Sequence, residues 1–169
     1  GPGNVPAYIE RSADVKKAVR DIFNSKTFDN GTICSSEQAL ICEKYNSKEV
    51  YETIVEEGGA FLSEEDIHKL ERYAFRCDGS LNAAIVGKPA TYIAKEAGIK
   101  VPANTRVLMA SLGGVGMNYP LSREKLSPIL AYYEVENWQE ACELSKKLLA
   151  LGGMGHTLSI HSQDKGIIT

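Results

Sequence analysis

The sequence predicts an α/β protein of three layers, α/β/α, built around a mostly parallel sheet. Strand-like apolar runs alternate with stretches of helical periodicity along the 169 residues, and the connections between them are short. Length and an apolar content of 43% suit one domain, 1–169, with a proper core. No internal repeat, low-complexity segment or linker interrupts it. In open sheets of this kind, sites form beyond the carboxyl ends of the strands.

Val5–Ile9, after a Gly/Pro opening, reads as a first strand. Ser12 is the expected N-cap of a helix whose stripe is Val15, Ala18, Val19, Ile22 and Phe23, ending around Ser25–Thr27. Ala39–Glu43 reads as the next strand. Asn46 with Glu49 forms a capping-box pattern, with Val50, Tyr51, Ile54 and Val55 inside and Gly58-Gly59 as the stop. Ser63 and Asp66 open a helix that buries Ile67, Leu70 and Ala74, and Pro89 opens another that ends at Gly98. Arg106–Ala110 and Ile129–Val135 read as strands. Asn137 and Glu140 repeat the capping box before a face of Trp138, Ala141, Cys142, Ser145, Leu148 and Leu149, closed by Gly152-Gly153. Thr157–His161 is the last strand.

A net charge of -3 with interspersed signs gives no footprint for nucleic acid. No apolar run approaches the ~20 residues that span a bilayer, and Gly1-Pro2-Gly3-Asn4 does not resemble a signal peptide. Cys34, Cys42, Cys77 and Cys142 show no C-x-x-C spacing, which argues against a zinc or redox site. Gly87-Lys88 fails as a P-loop, because the preceding glycine is Gly79 and Pro89 stands in place of Ser or Thr. Gly114-Val115-Gly116 fails as a dinucleotide fingerprint, since Tyr119-Pro120 follows, and reads as a turn. His156 and His161, five apart on one strand, face opposite ways and cannot share a metal. No H-E-x-x-H or Ser-centred elbow is present, and no metal site is expected.

The segment Phe28–Gln38 places Cys34 on a Gly-containing turn between a helix and a strand. A thiolate there would be a strong nucleophile. By residue chemistry alone, Cys34 with His156 as base stands beside the plainer pair, a structural cysteine and a surface histidine.

Four segments extend the reading. Gly3-Asn4-Val5-Pro6, Phe28-Asp29-Asn30-Gly31-Thr32-Ile33-Cys34, Arg123-Glu124-Lys125-Leu126-Ser127-Pro128 and Gly152-Gly153-Met154-Gly155-His156-Thr157 occur in this order. They resemble, respectively, the Gly-x-x-Pro strand opening, the nucleophile loop, the Glu-x-Phe-Gly-Pro segment and the Gly-His-Thr turn of the aldehyde dehydrogenase superfamily. Cys34 follows Gly3 at the interval the superfamily shows. Leu126-Ser127 and Gly155-His156-Thr157 resemble the coenzyme A-acylating branch, which holds acetaldehyde and propionaldehyde dehydrogenases and the aldehyde half of bifunctional aldehyde–alcohol dehydrogenases.

The resemblance implies a fold of the aldehyde dehydrogenase catalytic-domain type. It also implies a piece of a longer chain whose dinucleotide-binding domain lies largely before it, so that the piece alone is inactive. The implied reaction joins a short-chain aldehyde, coenzyme A and NAD to give acyl-coenzyme A and NADH, reversibly. Cys34 forms the thiohemiacetal and then the thioacyl-enzyme, with its backbone N–H as local oxyanion donor. Glu124 accepts hydrogen bonds from the nicotinamide ribose. His156 assists the coenzyme A thiol or braces its turn, Asn30 and Gly31 shape the loop, and Cys42, Cys77 and Cys142 are structural. The partners expected are the small aldehyde and acyl-coenzyme A, with no nucleic acid and no membrane. The parent enzyme is expected to be a homo-oligomer in the cytoplasm or a microcompartment lumen. Two other readings stand beside it: a hydrolytic dehydrogenase releasing a free acid, its glutamate base falling before Gly1, and an isolated folded domain without activity.

Overall fold

The computed structural model describes residues 4–32, 36–152 and 159–161. In chain order the elements are β1 (Val5–Ile9), α1 (Val15–Thr27), β2 (Glu37–Glu43), α2 (Ser47–Glu56), β3 (Gly59–Phe61), α3 (Glu64–Ala74), α4 (Ala90–Ala97), β4 (Val107–Ser111), β5 (Ile129–Val135), α5 (Trp138–Leu151) and β6 (Ser159–His161). The strands lie in the order β3-β4-β5-β2-β1-β6. Every adjacent pair is parallel.

Successive strand residues point to opposite faces, and helices cover both. On one face Ala7, Ile9, Leu40, Cys42, Met109 and Leu130 pack against Val19, Ile22 and Phe23 of α1 and Val50 and Ile54 of α2. On the other, Leu108, Ala110 and Ile129 lie under Leu70 of α3 and Ile93 of α4. Beside them Tyr8, Ile41, Ala131 and Tyr133 meet Ala141 and Leu148 of α5. Each such aliphatic side chain contributes about 1.5–3 kcal/mol by leaving water. No helix among the described residues is long and apolar enough to cross a membrane.

Several expectations need correction. The cap of α1 is Asp14, whose side chain accepts from the Lys17 N–H, while Ser12 turns to Glu10. Asn46 precedes α2 but does not cap it with its side chain, because its amide donates to the Glu10 carbonyl instead. The buried stripe of α2 is Val50, Thr53 and Ile54. Tyr51 and Val55 are about half exposed, at 46% and 50%, because Tyr51 lies outside the sheet edge, stacked on Phe61 at 4.2 Å. Pro89 is the N-cap of α4 and not its first residue, and Gly98 closes that helix with φ 79°. Trp138 opens α5 about half exposed, while Ala141, Ser145 and Leu148 are buried.

Gly59 is not a helix stop but the first residue of β3, a three-residue edge strand the sequence pattern did not suggest. A Cβ at this position would come within 2.4 Å of Ile54 Cγ2, so glycine lets the edge strand lie against α2.

In a parallel sheet each helix carries the chain back to the amino ends of the strands. The loop from α1 into β2 therefore lies at the amino edge, where Asn4 precedes β1 and Ser127 precedes β5. The carboxyl-end rule does not hold here for the segments singled out above. Replacing the true cap, Asp14→Ala, should lower stability by about 1 kcal/mol in urea unfolding, the usual cost of a lost N-cap.

Candidate active site

The loop that carries Cys34 starts from a strained turn. After α1 the chain makes a tight turn over Phe28–Gly31 in which Asp29 and Asn30 take φ values of 51° and 52°. Gly31 follows at φ 77°. Among the described residues, the non-glycine positions with positive φ are Asp29, Asn30 and Leu126. All three lie in two of the motif segments. Left-handed backbone is unfavourable for a residue such as leucine, and such strain concentrates where neighbouring structure over-determines it, functional sites included.

These two segments are in contact. A Cβ on Gly31 would lie 2.8 Å from the Ser127 carbonyl oxygen and 3.1 Å from that of Lys26. The Asn30 amide donates to the Gly87 carbonyl at 2.9 Å, and the Gly87 N–H donates to Leu126 O at 3.4 Å. Gly87, set aside above as a failed phosphate loop, thus bridges the nucleophile loop and the Glu124 segment. Asn30 and Gly31, the residues expected to shape the loop, both take part in these contacts.

Beneath the loop are two lysines with no exposed surface. The Lys125 ammonium donates to three carbonyls, Leu121 at 2.6 Å, Arg123 at 2.7 Å and Gln38 at 3.1 Å. Its backbone N–H donates to Gln38 Oε1 at 3.1 Å. Lys26, in the last turn of α1, donates to that same Oε1 at 3.3 Å. Burial pushes the Lys26 ammonium down to about 7, against the opposing pull of Glu37 and Glu124. Lys125 is lowered well below the ordinary lysine range by burial and by Lys26. Around the same edge, Asn4 Oδ1, Ser36 Oγ and Ser127 Oγ are buried without a hydrogen-bond partner among the described residues.

Glu124 is partly exposed between Arg123 and the buried Lys125. Cys34 and His156 lie outside the described residues. The chain on either side of Cys34 is placed: Thr32 bonds back to Asp29 through its hydroxyl at 2.9 Å, and Ser36 is buried at the start of β2.

Cys42 is a core residue, 3.2 Å from the Tyr132 hydroxyl, and burial pushes its thiol up to about 12. Cys77 is exposed and Cys142 half-buried, and all three are free thiols. The expectation of a structural cysteine therefore fits Cys42 and not Cys77, which stands on the surface.

Sequence reasoning missed Lys26, Gln38, Gly87 and Lys125. Lys26 had a visible signal: it occupies the next position of the stripe Val15, Ala18, Val19, Ile22, Phe23, where a charge has no reason to be unless it is held.

No protein-family profile matches the chain. An aldehyde-alcohol dehydrogenase of Streptococcus pneumoniae serotype 4 is 42% identical over 177 residues, covering 98% of this chain and 20% of that protein. The crystal structure of an acetylating aldehyde dehydrogenase from Geobacillus thermoglucosidasius superposes with TM-score 0.96 at 49% identity, covering 99% of this chain and 37% of the other. A probable aldehyde dehydrogenase from Listeria monocytogenes EGD-e superposes with TM-score 0.96 at 54% identity, with the same coverage. Over nearly its whole length the chain is similar to one part of these aldehyde dehydrogenases. It spans about a fifth of the length of the bifunctional relatives and over a third of the solved structures.

Two tests follow from the geometry. Gly31→Ala forces a Cβ into the Ser127 carbonyl at positive φ, and should destabilise the fold by about 1–3 kcal/mol in denaturant unfolding. Lys26→Met tests the buried charge through pH. Since the folded group titrates near 7 and the unfolded one near the usual ~10.4, the unfolded state holds the extra proton between those values. The burial cost of Lys26 is then largest at and below pH 7 and is relieved as pH rises toward 10. The stability of Lys26→Met relative to the parent should be highest at pH 6 and fall toward pH 9.5. A difference that stays flat across that range would contradict the assignment.

Proposed function

We propose that this chain is the nucleophile-bearing catalytic domain, 1–169, of an NAD-dependent, coenzyme A-acylating aldehyde dehydrogenase. The observation that carries the reading is the contact of two strained segments: Asp29–Gly31 leads into Cys34, and Leu126-Ser127 follows Glu124. The described residues that lead toward the thiol and those that follow the carboxylate thereby meet at one edge of the sheet. The acetylating enzyme of Geobacillus thermoglucosidasius supports the acyl-transfer part. So does a more distant structure, the propionaldehyde dehydrogenase of Rhodopseudomonas palustris with bound propionyl-CoA, at 25% identity and TM-score 0.86 over 97% of this chain and 36% of that one.

In this reading the Cys34 thiolate adds to the aldehyde carbon, and the backbone N–H of Cys34 donates to the oxyanion that forms. Bound NAD supplies the acceptor for the hydride that leaves the same carbon. Glu124 holds the cofactor's ribose hydroxyls, and the Lys125 anchor keeps that carboxylate in register with the loop. What remains on Cys34 is a thioester. The thiol of coenzyme A attacks its carbonyl, with His156 taking the proton or bracing the turn, and the Cys34 thiolate leaves as acyl-coenzyme A forms. One thioester replaces another, so the overall step is close to balanced and runs in both directions. The partners are then a short-chain aldehyde and acyl-coenzyme A, and the location the cytoplasm or a microcompartment lumen.

The test uses the full-length enzyme. Cys34→Ala should abolish aldehyde-dependent NADH formation, removing at least ~10³-fold of the rate, as loss of a covalent nucleophile does. NADH formation should also stop when coenzyme A is omitted, whereas a hydrolytic enzyme would continue. In the folded protein iodoacetamide should alkylate Cys34 before Cys42, Cys77 and Cys142, and alkylation of Cys77 at an equal rate would count against the nucleophile assignment.

A further inference from the structure

β2 is buried along its whole length, and its second residue, Gln38, stands in the row that Leu40 and Cys42 continue into the core beside α1. Gln38 has no exposed surface. An amide in such a row costs free energy unless its polar atoms are bonded, and a leucine or methionine would serve packing alone. Here the amide is engaged at both ends. Gln38 Oε1 accepts from the Lys26 ammonium at 3.3 Å and from the Lys125 N–H at 3.1 Å. Gln38 Nε2 donates to the Ser36 carbonyl at 3.3 Å.

Each of these bonds ends close in sequence to a residue of the proposed site. Ser36 follows Cys34 by two positions, Lys125 follows Glu124 directly, and Lys26 precedes Asn30 by four. Unfavourable backbone lies on both sides of the amide, at Asp29 and Asn30 in one segment and at Leu126 in the other, and strain of this kind persists only where neighbouring structure holds it. The bonding also requires an amide in particular. A carboxylate of the same shape accepts from Lys26 and Lys125 but has no N–H for the Ser36 carbonyl, and a methionine serves none of the three.

We propose that Gln38 is a positioning residue of the proposed active site, its amide fixing the backbone that follows Cys34 against the backbone that carries Glu124. The inference deepens the function proposed above and rests on it for the parts that Cys34 and Glu124 play. Gln38 acts through Ser36 and Lys125 and touches no reactant. Its worth to the reaction lies in alignment, since a displacement of about 1 Å can cost about 10²-fold in rate.

The test uses the full-length enzyme with Gln38→Glu, which keeps the acceptor and removes the donor, and Gln38→Met, which removes both. Aldehyde-dependent NADH formation is expressed per folded molecule, counted as the fraction whose core Cys42 resists iodoacetamide. On that scale each variant should lose about tenfold or more in kcat. Asp14→Ala loosens α1 at its other end without touching the amide, and should keep the parent's kcat per folded molecule, which separates lost alignment from lost stability. The proposal is overturned if Gln38→Glu and Gln38→Met both stay within about twofold of the parent. Should one variant fail to fold, the other decides by the same reading. Hydrogen exchange needs no turnover and reads the tie itself: in either variant that folds, segments 28–38 and 123–128 should exchange at least about tenfold faster while α3 and α4 are unchanged. If the parent forms no coenzyme A-dependent NADH yet exchange quickens in both segments, the tie stands and the proposed function falls. If the parent turns over and the variants match it, the function stands and the positioning role falls.

Discussion

The Lys125 ammonium is the interaction on which the amino edge depends. It is withdrawn from solvent and donates to three backbone carbonyls, two in its own segment and one in β2. A buried ammonium is stable only where acceptors surround it, so the residues that supply them are not free to move apart. The backbone leading to Glu124 is thereby tied to the strand that the Cys34 loop enters. Gln38 extends the tie, since its side-chain oxygen accepts both the Lys125 N–H and the Lys26 ammonium. One amide thus holds the last turn of α1, the start of β2 and the approach to β5 together.

That anchoring explains how the strained backbone persists. Positive φ at Asp29, Asn30 and Leu126 is unfavourable locally, and each of these residues lies within a few positions of Lys26 or Lys125. Close approach of Gly31 to the Ser127 carbonyl requires a residue without a Cβ there. The same glycine tolerates the left-handed backbone at no steric cost. The turn is therefore fixed from both sides, by a missing side chain above and by two sealed charges below. Preorganisation of this kind keeps a reacting group from having to be ordered at the moment of reaction.

The layers of the fold were legible because they follow from periodicity. The apolar stripe of α1 and the run Ile129–Val135 are local patterns that packing then confirms. β3 was not legible, since three residues give no period to read, and its opening glycine has the same spelling as a helix stop. The edge of the sheet on which the motifs gather was misjudged for a different reason. A rule about carboxyl ends describes loops that follow strands, whereas the Cys34 loop follows a helix. The contacts of Gly87 with Asn30 and Leu126 and of Lys125 with Gln38 join residues far apart in the sequence, and nothing in their local sequence announces them. Lys26 was the exception, a charge on an apolar stripe, and its meaning became clear only with Gln38 in place.

The two ends of the sheet also differ in how they use charge. At the carboxyl end Glu43 is buried, yet it accepts from the Tyr8 hydroxyl, from the Arg11 N–H and from two nitrogens of the Arg11 guanidinium. Its lone pairs are spent on the protein, and burial beside that carboxylate raises the Tyr8 phenol well above its ordinary value. A carboxylate so enclosed stabilises the end of β1 against β2 but has little left to offer a ligand. At the amino end the cations are the enclosed partners, satisfied by carbonyls, while Glu124 keeps part of its surface in solvent. Burial opposes the charge on both lysines, and the carboxylates of Glu37 and Glu124 pull the other way on Lys26. The two edges therefore differ in kind: a closed ion pair fastens one, and lysines bonded to carbonyl oxygens brace the other.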